Sequence, residues 1–116
     1  MGVYDGIQYL RSKKAKISIV PLAMDASILD CSEEQKDSEF RIEINCDLPL
    51  EEQVKSLIHE ILHCGSPYRN YLGRGISLFR GTYSEFEEKI ENLTEQVYSC
   101  QPRLTDWLRR KIKQNT

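Results

Sequence analysis

Residues 57–64 read Leu-Ile-His-Glu-Ile-Leu-His-Cys and contain both histidines of the 116-residue chain. His59 and His63 stand four apart, and Glu60 directly follows the first. On a helix, positions i and i+4 lie one above the other, so both imidazoles can aim at one ion. Glu60 sits about 100° further round the helix, within reach of a water held by that ion. This is the HExxH arrangement, two zinc ligands and a general base on one turn. The chemistry it serves is metal-assisted hydrolysis.

A catalytic zinc takes three protein ligands and keeps one open position. No third histidine exists, which removes the HExxHxxGxxH class and leaves a carboxylate or a cysteine. Cys31, Cys46, Cys64 and Cys100 are scattered without a C-x-x-C pair, and read as reduced, mostly buried thiols of a cytoplasmic protein. A later amphipathic segment offers Glu85, Glu87, Glu88, Glu91 and Glu95 around a stripe of Phe86, Ile90, Leu93 and Val97. Glu87 and Glu91 both flank Ile90, one turn apart. One of them can ligate while the other holds the free N–H of a ligating histidine. Glu88 and Glu95 lean toward solvent.

These groups need elements to position them. Val3, Ile7 and Leu10 recur at helical spacing ahead of a cationic end, which predicts a short first helix weakened by Gly2 and Gly6. Residues 16–22 alternate and are β-branched, so a strand is expected, ending near Pro21. Residues 26–31 form a weaker strand, and 32–38 a polar loop. In residues 39–45, Phe40, Ile42 and Ile44 face one way and Glu39, Arg41 and Glu43 the other, the pattern of a strand with one buried face. The two segments within 26–45 suit a hairpin whose exposed edge could take a substrate as an added strand.

The metal helix is expected to start at Asp47 or Leu48, with Pro49 in its first turn, and to run to about Cys64 before Gly65-Ser66-Pro67. Its apolar positions Val54, Leu57, Ile58, Ile61 and Leu62 cluster opposite the histidines. Residues 65–83 read as a long irregular connection. Ser84 is expected to cap the glutamate helix with Glu87 at the capping-box position. That helix runs to about Cys100, and Pro102 breaks it. Leu104, Trp107, Leu108 and Ile112 mark a last amphipathic helix. The elements add up to one α+β domain over residues 1–116, with a small sheet of about three strands.

Composition excludes several function classes. A net charge of −2 gives no bulk attraction for nucleic acid, and the basic tail at 109–113 suits a helix C-terminus. No apolar run reaches the length of a membrane span, and the first residues lack the pattern of a secretory signal.

His59-Glu60-Ile61-Leu62-His63 followed by a glutamate on a later helix resembles the gluzincins. The order of elements from residue 3 to about residue 100 is similar to the small ImmA/IrrE-type and phage-encoded zincin-like peptidases, and to the latent minigluzincins of about this length. The resemblance implies a minimal zincin-like fold, one Zn2+ per chain and a peptidase activity. In that group a Glu-x-x-x-small/acidic pattern carries the third ligand. Glu87-Glu88-Lys89-Ile90-Glu91 fits it best, with Glu87 as ligand and Glu91 behind it, and Glu88 or Glu91 as alternative ligands. The chain departs from the pattern at Ile90, where a small residue is usual, and at Leu62, where a glycine is. A gluzincin also needs a group to stabilise the transition state, for which Tyr68, Tyr71, Tyr83 and Arg74 are candidates. The expected substrate is a peptide or protein, and the ImmA/IrrE likeness implies a repressor-type regulator. Position and the likeness to latent minigluzincins let 101–116 act either as a packing helix or as a cover over the metal. The rival to a peptidase is a latent or non-catalytic zinc-binding module.

Overall fold

Strand β3 (Phe40–Asn45) is the centre of the sheet, because its two faces and both edges are used. Ile42 and Ile44, two residues apart, are fully buried on one face, while Arg41 and Glu43 are half-buried on the other. Strand β1 (Lys16–Val20) pairs with β3 in parallel, Ile17 opposite Ile42 and Ile19 opposite Ile44. Strand β2 (Ala26–Asp30) pairs antiparallel on its other side, Ala26 opposite Ile44. The computed structural model describes residues 2–12, 14–22, 24, 26–30, 40–64 and 83–115. Four helices, α1 (Gly2–Ser12), α2 (Leu50–His63), α3 (Tyr83–Cys100) and α4 (Pro102–Gln114), complete a mixed α+β arrangement. The polar loop expected at 32–38 lies outside the described residues, as does the connection expected at 65–83 except for Tyr83, which opens α3.

Helix α2 carries its apolar residues at i, i+3, i+4, i+7 and i+8, and all five bury: Val54, Leu57, Ile58, Ile61 and Leu62. Each contributes about 1.5–3 kcal/mol of burial. The helix starts later than the sequence suggests. Pro49 stands at the N-cap position outside the helix, and no side chain caps it. The turn before it is held in other ways. The Asn45 carboxamide accepts from the Asp47 amide at 3.0 Å, and the buried Gln53 side chain donates toward the carbonyls of Asn45, Cys46 and Leu48. Gln53 thus ties the end of β3 to the start of α2 and fixes the angle at which the metal-motif helix leaves the sheet.

Helix α1 lies against the back of α2, and Gly6 is what lets it. A Cβ placed on Gly6 would lie 2.1 Å from the Ile61 carbonyl oxygen, far inside contact distance. The residue that weakens α1 as an isolated helix is the one its packing requires. Past the end of α1, the Lys14 amide donates to Arg11 at 3.0 Å and the Ala15 amide to Leu10 at 2.9 Å, the hydrogen-bond pair of a Schellman motif. Lys14 occupies the left-handed position with φ 52°, where glycine is usual, at a cost of about 1 kcal/mol.

Helix α3 begins at Tyr83, so Ser84 lies within its first turn and is not the expected N-cap. Ile90 and Val97 bury on α2 with Leu93 beside them, and the Phe86 side chain lies outside the description. Helix α4 opens on Pro102 and buries Leu108 and Ile112. It is clamped to α2 at a distance: the Arg109 guanidinium donates to both carboxylate oxygens of Glu51, at 2.6 and 2.7 Å, and also pairs with Asp106. Tyr98 donates its hydroxyl to the same Glu51 at 2.5 Å. One carboxylate in the first turn of α2 therefore joins the last turn of α3 and the middle of α4.

Candidate metal centre

Three ligand atoms converge where the exposed face of α2 meets α3. His59 Nε2 and His63 Nε2 stand 3.1 Å apart. Glu87 places Oε2 3.3 Å from His59 Nε2 and Oε1 3.2 Å from His63 Nε2. Atoms bonded to one ion at about 2.0–2.1 Å in tetrahedral directions stand about 3.3–3.4 Å from each other, close to the spacing of the two nitrogens and of each nitrogen from its nearer Glu87 oxygen. His59, His63 and Glu87 form a group that could hold a metal ion.

The protonation chemistry points the same way. Burial, with the neighbouring His59 adding to it, pushes the His63 pKa down to about 4, so the ring is neutral and offers a lone pair. On the far side of His59, Nδ1 faces Glu91 Oε1 at 3.3 Å. A carboxylate there orients the ring and leaves Nε2 as the lone-pair nitrogen turned toward Glu87. Two imidazole lone pairs and a carboxylate oxygen aimed at one point repel each other unless a cation lies between them.

The lower-lying neighbours build a cavity of about 290 Å³ around this point, lined by Ser56, His59 and Glu60 of α2, Glu87 and Thr94 of α3, and Ala26 of β2, among others. Glu60 lines it beside His59. Desolvation first, and then the charge of Glu87, raises its pKa to about 7. A carboxyl held near neutrality can both take and give a proton at physiological pH. A cation between Glu60 and Glu87 would favour its ionised form.

Of the residues singled out in the sequence, the structure brings His59, Glu60, His63, Glu87 and Glu91 together. Glu87 does not serve as a capping-box residue, because its carboxylate is turned to the histidines. Glu88 and Glu85 are exposed. Glu95 is exposed too, yet it reaches back to Lys55 Nζ at 3.4 Å at the edge of the cavity. Tyr68, Tyr71 and Arg74 lie outside the described residues, and Tyr83 begins α3 with its side chain outside them. No residue of α4 lines this cavity.

Sequence reasoning passes over Lys55, Ser56 and Thr94. Lys55 also sits over the Tyr98 ring, 4.9 Å from its centroid. Thr94 is buried, and its hydroxyl donates to the Ile90 carbonyl at 2.8 Å. A signal for Thr94 was present: Glu87, Glu91 and Thr94 follow i, i+4, i+7, one continuous face of α3 turned to the metal helix.

Among the described residues no helix is long and apolar enough to cross a membrane. Comparison of the chain with protein-family models, with curated proteins and with solved structures finds no match.

Proposed function

We propose that this chain is a zinc-dependent endopeptidase of gluzincin type, with a minimal zincin-like fold built on three strands. The observation that carries the reading is the meeting of His59 Nε2 and His63 Nε2, 3.1 Å apart, with the Glu87 carboxylate, whose Oε2 and Oε1 stand 3.3 and 3.2 Å from the two nitrogens, and with Glu60 beside His59 and Glu87 in the adjoining cavity. Two nitrogens and one carboxylate with a fourth direction open is the donor set of a catalytic zinc site. A zinc ion held there supplies Lewis acidity, lowering the pKa of a water toward 7 and polarising a carbonyl oxygen.

The chain's own residues do the rest. Glu91 holds His59 so that Nε2 faces inward. Glu60 takes a proton from the attacking water and passes it to the leaving amine. Ala26, at the start of β2, lines the cavity, and β2 is an edge of the sheet. A peptide added along that edge would bring a scissile bond past the histidines. A protein substrate in the cytoplasm, of repressor type by resemblance, fits a chain whose Cys46, Cys64 and Cys100 are not joined in disulfides.

The decisive variant is Glu60→Gln, which keeps the shape and removes the base. Zinc content should stay at one per chain while peptide hydrolysis falls by about 10²–10⁴-fold. Hydrolysis that survives unchanged would sink Glu60 as the base. A second reading, a zinc-holding module without turnover, is favoured by the cavity's modest 290 Å³. It predicts zinc in the parent chain and no hydrolysis to lose.

A further inference from the structure

A second and larger cavity, of about 890 Å³, lies on another side of α2 and has no part in the metal chemistry. All five residues of β1, from Lys16 to Val20, line it. Successive side chains of a strand point to opposite faces, so a cavity over one face would touch alternate residues only. This cavity reaches every residue of β1 as well as Ile42, Leu57 and Ile61, so it covers the face toward α2 and continues along the strand's edge. β1 is an edge strand, with β3 on one side and no strand on the other among the described residues. Its outward N–H and C=O groups form a template for a further strand.

The walls specify what that strand should carry. Ile7 and Leu10 of α1 and Trp107 and Leu108 of α4 give apolar sides. Arg11, Lys14, Lys16 and Lys111 also line the cavity, and among the described residues no aspartate or glutamate does. Among the described residues no carboxylate pairs with Arg11, Lys14 or Lys111, whereas Lys55 and Arg109 elsewhere are both paired. Arg11 and Lys111 instead approach the same Trp107 ring, at 5.7 and 5.4 Å from its centroid. Two like charges gathered at one ring leave a strongly positive mouth. Lys14, at the rim, occupies the left-handed backbone position that glycine would fill without strain.

We propose that the open edge of β1, between α1 and α4, docks an extended acidic segment of a partner protein. The segment adds as a strand to β1, with apolar side chains against Leu10 and Trp107 and its carboxylates among Arg11, Lys14 and Lys111. This surface is separate from the metal cavity and does not depend on the chain being a peptidase.

The test uses the full chain and Trp107, its single tryptophan, as reporter. The probe is the capped peptide Ac-Glu-Val-Glu-Ile-Glu-Val-Glu-amide, titrated to about 1 mM, the weak end of specific binding. It is repeated on the Glu60→Gln variant so that cleavage at the metal site cannot consume the probe. The expected result is a saturable change in Trp107 emission that weakens with added salt. A peptide with lysine in place of each glutamate should give no change, and neither should the acidic peptide N-methylated at alternate amides, which cannot pair with a strand. Lys14→Gly should weaken binding by about two- to fivefold, the size of one exposed charge, while the melting temperature holds or rises because the strain at φ 52° is relieved. No response to the acidic peptide overturns the proposal. Equal binding of the N-methylated peptide also overturns it, and marks a site for an anionic amphiphile. Concentration-dependent dimerisation that the peptide leaves untouched overturns it in favour of a second copy of the chain.

Discussion

Ser56, His59 and Glu60 face one cavity, while Leu57 and Ile61, on the same turns of α2, face another. The first is small and acidic: Glu52, Glu60, Glu87, Glu91 and Glu95 line it, against Lys55 and the histidine. The second is three times as large, apolar within and cationic at its rim. A net charge of −2 conceals both, because the two signs are sorted to different surfaces and cancel only in the sum. The acidic cavity gathers carboxylates around the half-buried His59, Glu60 and Glu87, which suits a small hard-charged guest. The basic cavity spreads its charge around an apolar trough, which suits a long guest with a strand's backbone.

The comparison breaks most easily at Glu87. In the Glu87→Ala variant zinc affinity, measured by competition with a chromogenic chelator, should fall by more than the roughly 10–100-fold expected for a group that only orients a ligand. Glu91→Gln should show that smaller loss, and Glu88→Ala almost none. Equal losses at Glu87 and Glu88 would break the assignment of the third ligand. In none of the three should the Trp107 response to the acidic peptide change, since the two cavities share no charged residue.

The reverse separation is available at Gly6. A Cβ there meets the Ile61 carbonyl at 2.1 Å, and that backbone cannot yield because α2 is fixed by the sheet, α3 and α4. α1 must move instead. Gly6→Ala should cost about 1–3 kcal/mol in urea unfolding, as overpacking does. It should also weaken the peptide at β1, whose cavity includes Ile7 and Leu10 of α1. Zinc affinity should stay within a fewfold of the parent. An equal loss at both sites would show that α1 positions the histidines as well, and the two regions would cease to be independent.

The acidic cavity is the part that can be read from sequence, and the reason is local geometry. His59, Glu60 and His63 lie on one helical turn, and Glu87 and Glu91 flank Ile90 on another, so periodicity alone puts the right atoms on facing stripes. Errors there are of one kind: Ser84 looks like a cap and Pro49 like a first-turn residue, but the helices begin at Tyr83 and Leu50, and the turn ahead of α2 is held by Gln53 donating to backbone carbonyls instead of by a cap. The basic cavity is not legible. Its existence depends on β3 entering the sheet between β1 and β2, which leaves β1 at an edge, and no local pattern in residues 16–20 encodes that order. Gly6 illustrates the same limit: composition gives it as a weak point in α1, and only the approach of Ile61 gives it a purpose.

The smallest expected effect concerns the clamp that holds α4 as a wall of the basic cavity without letting it into the acidic one. The Arg109 guanidinium first, and the Tyr98 hydroxyl second, hold the Glu51 carboxyl at about 2, below its usual 4.5. A depressed pKa means that the unfolded chain binds the proton more readily, so this contribution is complete above pH about 4.5 and drains away as the pH falls toward 2. Glu51 is half-exposed, and solvent screening keeps the contribution under about 1 kcal/mol. Urea midpoints of the parent and of Glu51→Gln should therefore differ modestly at pH 6, and the difference should close on acidification through that window. A metal in the acidic cavity would act in the same direction: it would be lost on acidification because the histidines must be neutral to bind it, so metal-free protein isolates the clamp. A gap that stays constant down to pH 3 would mean that Glu51 acts through its shape alone. The bond between α2 and α4 would then rest on Leu108 and Ile112, not on charge.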